Sequence, residues 1–353
     1  MLFSSKKDLI GIDVGSSSVK LVRLRESRGN YQLMNIGILP LPAESIVDNT
    51  IMDSASIVET VSNLITSMKV KGKRVASSVS GHSVIIRKIM LSIMTEEELE
   101  ASIQWEAEQY IPFDLSEVNI DFQILGPDAK DPSQMNVMLV AAKREYVDDF
   151  VAVFAEAGLE PVVMDIDCFA VENTFNVNYG FVEDEVVALV NLGASATSVN
   201  VLKGDVSLFT RDIQAGGNLI REELQKRLAL SSEEAERAKL GSRNIESVDP
   251  ESVDEVMADA IENLVQEVQR SLDFFSATSG DDKIIKIYLT GGVSKSQRIC
   301  EELSERLGIP AEVIDPFRNI IVNDKDFDPE YLEAIGPMMS VATGLAMRKV
   351  GDK

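Results

Sequence analysis

Residues 10–21, Ile-Gly-Ile-Asp-Val-Gly-Ser-Ser-Ser-Val-Lys-Leu, run from an apolar segment through a carboxylate and a glycine into small hydroxyl residues and a second apolar segment. The pattern returns 178 positions later, in weaker form, as residues 188–199, Ala-Leu-Val-Asn-Leu-Gly-Ala-Ser-Ala-Thr-Ser-Val. Asp13 then falls on Asn191, Gly15 on Gly193, Ser17 on Ser195 and Leu21 on Val199. Each copy predicts a strand, a tight turn and a strand. One copy alone is an ordinary hairpin. Two copies facing each other across a cleft would surround one polyphosphate with turn amides, because backbone N–H groups in a turn form an anion-binding concavity and glycine lets the chain approach closely.

Asp13 ends a strand that reads as buried, where a lone carboxylate is costly unless it is paired or near a metal. Lys20 can reach back to a phosphate as a point charge, or stand as a solvated strand lysine. A third glycine site lies at residues 284–292, Ile-Ile-Lys-Ile-Tyr-Leu-Thr-Gly-Gly, a strand ending in a Gly pair. A helix follows from Val293 to Leu307, with Ile299, Leu303 and Leu307 on one face and Gly308 as its stop. That Gly-Gly turn suits a nucleoside lying on the backbone, and equally a plain tight turn.

With these loops the chain resembles the actin-like ATPase superfamily. Further stretches narrow the resemblance: Gln-Trp-Glu-Ala-Glu-Gln-Tyr-Ile-Pro-Phe (104–113), Val-Ala-Ala-Lys (140–143), Ala-Gly-Leu-Glu-Pro (157–161) and Phe-Thr-Arg-Asp-Ile-Gln-Ala-Gly-Gly-Asn (209–218). They resemble the PilM family of type IV pilus assembly proteins, relatives of the division protein FtsA. The 104–113 segment is the specific one, since the glycine loops alone reach only the superfamily.

The resemblance implies an α/β actin-like ATPase fold: two ribonuclease-H-like lobes around a nucleotide cleft, with an FtsA-like inserted α/β subdomain. It implies ATP or ADP with Mg2+ as cofactors. Asp13 would hold Mg2+ through water, and Gly15, Ser16, Ser17, Ser18 and Lys20 would take the β and γ phosphates. Asn191, Gly193, Ala194, Ser195 and Thr197 would form the second phosphate loop. Gly216, Gly217, Gly291, Gly292 and Ser294 would line the nucleoside, and Glu236 with Lys239 would reach ribose and base unless they are an exposed ion pair. Most of the superfamily has Asp where this chain has Asn191, which neither accepts a proton from water nor adds charge at a metal. Slow turnover at most is therefore expected. Asp165 and Asp167 are further candidates for positioning water, with a pair of surface carboxylates as the plainer reading.

The family also implies a partner: the short cytoplasmic N-terminal tail of a PilN-type inner-membrane protein, held beside the inserted subdomain. Trp105, Tyr110, Ile111 and Phe113 are its candidate contacts, although all four are also ordinary core residues. Other pilus assembly components and oligomers are compatible with the family. A small-molecule kinase or a filament-forming actin homologue on the same fold is the alternative reading.

Strands at 9–14, 19–25 and 31–39, a helix at 55–69 and a strand at 74–80 open the first lobe, residues 1–81. The inserted unit is expected over 82–160, a connection over 161–185, the second lobe over 186–335 and a connecting helix within 336–353. Asp249-Pro250 starts a long helix whose stripe Val253, Met257, Ile261, Leu264, Val268, Leu272 and Phe275 is core. The charge of −24, from 34 basic and 58 acidic residues, argues against nucleic acid or a direct grip on anionic lipid. No run approaches the ~20 apolar residues of a membrane span. The expectation is a cytoplasmic protein, peripheral to the inner membrane through partners. Cys168 and Cys300 form no CxxC, and a single histidine, His82, excludes a His-rich metal site.

Overall fold

A computed structural model describes residues 8–352 apart from residues 129, 243, 244, 246 and 247. β1 (Ile10–Val14) and β2 (Ser18–Ser27) form the first hairpin, and β3 (Asn30–Pro40) extends it. Arg28 and Gly29 join β2 to β3 at φ of 54° and 81°. Two consecutive residues at positive φ give a turn whose twist matches that of the strands. A short hairpin, β4 (Ile46–Val47) with β5 (Thr50–Ile51), leads into α1 (Ser54–Ser67), capped by the Asp53 side chain on the Ser56 amide. β6 (Arg74–Val79) then runs parallel to β1.

Next come β7 (Val84–Ser92), α2 (Glu96–Ala107), β8 (Val118–Pro127) and β9 (Gln134–Lys143), with the strands in the order β7-β9-β8. The expected capping box opens α2: Thr95 and Glu98 each accept from the other's amide. The helix ends at Ala107, where the Tyr110 and Ile111 amides both close back on the Ala107 carbonyl. α3 (Arg144–Glu156) and β10 (Glu160–Ile166) follow. The expected inserted unit includes α3, but α3 packs Val153 and Phe154 in one cluster with Ile10 and Val61, and β10 pairs with β6. The separate sheet with α2 thus spans Val84–Lys143, and the first sheet reads β10-β6-β1-β2-β3.

α4 (Asp167–Tyr179) leads to the second sheet, β11 (Val186–Leu192), β12 (Thr197–Lys203) and β13 (Val206–Ile213). α5 (Gly217–Leu228), α6 (Ser232–Lys239) and α7 (Pro250–Thr278) precede β14 (Ile284–Thr290), which is parallel to β11. α8 (Gln297–Leu307), β15 (Ala311–Val313), α9 (Pro329–Ile335) and α10 (Ser340–Met347) complete the fold. The order β15-β14-β11-β12-β13 repeats the connectivity of β10-β6-β1-β2-β3. The α7 stripe is core as expected except Met257, which is only partly buried and faces a cleft. Each fully buried Leu or Val along it contributes about 1.5–3 kcal/mol of transfer free energy.

The helix expected at 293–307 is divided by Ser296, the end of a 3-10 turn, and that expected at 336–348 begins with a 3-10 turn carrying Pro337. α4 was not foreseen. Its buried residues Cys168, Ala170, Val171, Thr174, Phe175 and Asn178 lie all round it, so it has no amphipathic period to read. α4 and α10 lie between the two sheets, where Leu9 and Ala76 of one lobe share a core with Val187 and Leu189 of the other. They touch so closely that a Cβ on Gly344 would strike the Ala170 carbonyl. Among the described residues no helix is long and apolar enough to cross a membrane.

Candidate functional site

The two related hairpins end at one cleft of about 600 Å3. In the first turn the Gly15 amide donates to the Ser18 carbonyl at 3.1 Å; in the second, Gly193 donates to Ala196 at 3.0 Å, the same bond at the 178-residue offset. The ladders match as well, with Asp13 opposite Lys20 and Asn191 opposite Ser198. Lys20 Nζ lies 2.9 Å from Asp13 Oδ2, both side chains mostly buried.

Fifteen of the expected residues line this cleft: Asp13, Gly15, Ser16, Ser17, Ser18, Lys20, Asn191, Gly193, Ala194, Ser195, Gly217, Glu236, Lys239, Gly291 and Gly292. Thr197, Gly216 and Ser294 stand behind it. The Thr197 hydroxyl donates to the Ala215 carbonyl at 2.8 Å, and the buried Ser294 hydroxyl to the Gly291 carbonyl at 2.7 Å. A Cβ on Gly216 would sit 2.6 Å from the Gly193 carbonyl oxygen. The Gly217 and Asn218 amides donate to the Gly193 and Ala194 carbonyls at 2.9 and 2.7 Å, so the start of α5 braces the second turn from behind. Gly291, at φ 89°, adopts a conformation that suits glycine, and its amide is held by the Pro337 carbonyl at 2.7 Å.

Sequence reading missed the far wall, formed by Asn49, Ser78, Ser80, Tyr146 and Phe150. Asp165 and Asp167, read as candidates for positioning water or as a surface pair, have different surroundings. The change from strand to helix after Ile166 sends them apart: Asp165 is buried and pairs with Arg348 at 3.2 Å, while Asp167 enters the cleft as the first residue of α4. Ser78 donates to Asp167 Oδ1 at 2.6 Å. Burial, and then the charge of Asp13, push the Asp167 carboxyl up to about 6. An acidic residue at a strand-to-helix junction was the available signal.

The cleft suits a nucleotide with a hard cation. A Cβ on Gly193 would sit 2.7 Å from the Ala196 carbonyl oxygen, one on Gly15 would meet the end of Lys20 at 3.2 Å, and Asp13 is a buried carboxylate beside the first turn. Among the described residues no group of three or more potential ligands could cage a metal alone. Mg2+ takes one or two carboxylates and completes its shell with water and phosphate oxygen, so a lone Asp13 is compatible with it. At the other end, Glu236 Oε2 and Lys239 Nζ form an i,i+3 ion pair at 2.7 Å on the wall of the cleft.

The candidate partner residues do not form one surface. Ile111 is core, and Tyr110 and Phe113 pack on the same cluster, Phe113 beneath the Lys143 ammonium. Trp105 alone stands out, 79% exposed.

Residues 11–350 match the family described as type IV pilus assembly protein PilM. The chain belongs to the PilM family. Among solved structures, a PilM-PilN type IV pilus biogenesis complex holds a chain 29% identical, with a TM-score of 0.86 over 99% of this chain and 100% of that one. The ethanolamine utilization protein EutJ from Carboxydothermus hydrogenoformans is 15% identical (TM-score 0.59, 97% and 90% covered). MreB 5 of Spiroplasma citri, bound to AMPPNP, is 13% identical (0.52, 96% and 95%). The last two share the fold alone, and with the first they make this PilM-family chain an actin-like ATPase fold.

Proposed function

We propose that this protein is an ATP-binding scaffold of type IV pilus assembly, which binds the cytoplasmic N-terminal tail of a PilN-type inner-membrane protein in a nucleotide-responsive way. The observation that carries the nucleotide half is the convergence of two identical turns, Gly15–Ser18 and Gly193–Ala196, on one cleft. Bound Mg2+ would be held by Asp13 through water and would neutralise phosphate charge. The turn amides and Lys20 would orient the phosphates, Gly291 and Gly292 would receive the base, and Glu236 the ribose. Asp167, carrying a proton at pH values below about 6, would position water only above that range. With Asn191 across the cleft, the site is better suited to holding nucleotide than to turning it over.

The partner half is supported by the family and by the PilM-PilN complex that the chain resembles. The inserted sheet and α2 are its proposed receptor, with Trp105 as an exposed anchor and the acidic α2 suited to a basic or polar tail. Residence at the inner membrane would then come through this partner.

Calorimetric titration of nucleotide-stripped protein with Mg-ATP, with and without a synthetic PilN-type tail, tests both halves. Tight ATP binding that changes tail affinity is expected. Tail binding indifferent to ATP would leave a scaffold without a nucleotide switch, and absence of tail binding would remove the pilus partner.

A further inference from the structure

Glu172 stands midway along α4 and turns to the second sheet, outside the nucleotide cleft. Its Oε2 lies 3.2 Å from Asn200 Nδ2 of β12 and 3.1 Å from Ser207 Oγ of β13. Ser207 Oγ in turn lies 2.7 Å from Asn200 Oδ1. The three side chains close a ring of three contacts, and Asn200 and Ser207 are buried. Because α4 follows directly on β10 of the first sheet, the ring ties the first lobe to two strands of the second.

Counting hydrogens decides the charge of this ring. Each contact needs one hydrogen between its two heavy atoms. The Asn200 amide supplies one and the Ser207 hydroxyl, with a single O–H, one more. An ionised carboxylate only accepts, so Ser207 would face either Asn200 Oδ1 or Glu172 Oε2 with oxygen against oxygen and no hydrogen between. A protonated Glu172 completes the ring. Its O–H donates to Ser207 Oγ, Ser207 donates to Asn200 Oδ1, and Asn200 Nδ2 donates back to Glu172 Oε2.

The surroundings favour the same form. Burial lifts the Glu172 carboxyl to about 7, and the charges of Asp165 near the end of β10 and Asp205 in the β12–β13 turn raise it further. Cys168, one turn earlier on α4, is a thiol that burial pushes well up. Asp212 of β13 is turned to the Gly81 amide at 2.7 Å. The cations are engaged elsewhere: Lys203 at the end of β12 by Asp282 at 2.8 Å, and Arg348 beyond α10 by Asp165 at 3.2 Å. β11 and α10, which also pack on α4, carry no ionisable side chain.

We propose that Glu172 is a proton-binding site in which the bound proton fastens α4 to β12 and β13, and that release of this proton loosens the tie between the lobes. Neither nucleotide nor partner is needed for it. The folded group titrates near 7 and an unfolded glutamate near 4.3, so the stabilisation is full below about pH 4 and is lost as pH rises towards 7. From pH 6 to pH 8, opening of the joint becomes about tenfold more frequent.

The test uses the full chain with carbon-13 in the glutamate carboxyls alone, so that Asp165 and Asp167 are silent. One carboxyl resonance, absent from Glu172→Gln, should titrate near pH 7. Ser207→Ala should lower that midpoint, because Ser207 accepts the Glu172 proton; if Ser207 merely donated to a carboxylate, its loss would raise it. Hydrogen exchange at residues 197–213, corrected for the intrinsic rate, should accelerate about tenfold from pH 6 to pH 8 in the unmodified protein and less than about twofold in Glu172→Gln. If Glu172→Gln does not fold, the resonance is identified by its shift in Ser207→Ala, whose direction carries the test. A Glu172 midpoint in the ordinary carboxylate range, a midpoint raised by Ser207→Ala, or the same pH dependence of exchange in Glu172→Gln would overturn the proposal.

Discussion

Lys20 Nζ rests 2.9 Å from Asp13 Oδ2, directly across the β1–β2 ladder, whereas the matching place in the second hairpin sets Ser198 opposite Asn191. Two hairpins of one design therefore carry different charge: one holds an ion pair at the cleft, the other a neutral pair. The first turn has formal charges of both signs beside it, and the second a neutral pair.

Removing the ammonium should expose this difference. Lys20→Met leaves Asp13 buried without its cation, and loss of one partner from a buried pair costs about 3–5 kcal/mol. With both side chains slightly exposed, the lower end is expected in urea unfolding. The double variant Asp13→Asn/Lys20→Met should recover most of it. Equal, additive losses from the two substitutions would mean that the pair is not coupled.

At the second turn, Asn191→Asp places a carboxylate across the cleft from Asp13. Steady-state ATP hydrolysis should rise about tenfold or more if this group serves as an additional base or metal contact. An unchanged rate would show that position 191 does not face the reacting phosphate.

Asp167 makes stability depend on pH. Its folded carboxyl titrates near 6 and an unfolded one near 3.9, so the folded state takes up this proton first. The favourable contribution is full below about pH 4, is lost as pH rises towards 6, and stays absent above that. Between pH 7 and pH 5 the unliganded protein should gain about 1 kcal/mol from this group, a gain that Asp167→Asn abolishes. Glu172, lifted to about 7 chiefly by burial, adds a slope of the same sign that survives the substitution. Identical pH slopes for the two proteins in chemical denaturation would refute the assignment.

Gly344→Ala drives a methyl group into the Ala170 carbonyl, and should be among the most damaging single substitutions, costing about 3 kcal/mol or more by overpacking. Gly308→Ala is the control. It has φ of 64° with open space around it, and pays only left-handed strain of about 1–2 kcal/mol. Similar urea midpoints for the two would show that the α4–α10 contact yields.

The repeated lobe was legible because strand–turn–strand segments carry their own signals: alternating burial, glycine at the turn and a polar residue before it. The 178-residue offset then supplied the pairing of Asp13 with Asn191 and Gly15 with Gly193. Three site residues read as ligand contacts, Thr197, Gly216 and Ser294, proved to be braces, since the sequence does not tell which side of a turn a small residue faces. The wall of Ser78, Ser80 and Tyr146 was invisible because it comes from elements that share no local pattern. α3 was drawn into the inserted unit because its packing with Ile10 and Val61 is non-local and leaves no mark between residues 82 and 160. α4 was lost for the opposite reason: buried on every side, it reads as neither amphipathic helix nor alternating strand.

The crossing of α4 and α10 at Ala170 and Gly344 has a mechanical meaning. Helices that meet through bulky side chains can slide by re-nesting them, but here backbone lies on backbone with no slack to absorb translation. Such a joint resists shear and admits rotation. The thirteen residues of α4 extend about 20 Å from this region as one stiff rod. Its head carries Asp167 in the cleft, and its shank carries Glu172 against Asn200 and Ser207 of the second sheet. A change of charge at the head is thus applied within one turn of the Ala170–Gly344 contact, which Thr174 reinforces a turn further on by donating to the Ser340 carbonyl at 2.6 Å.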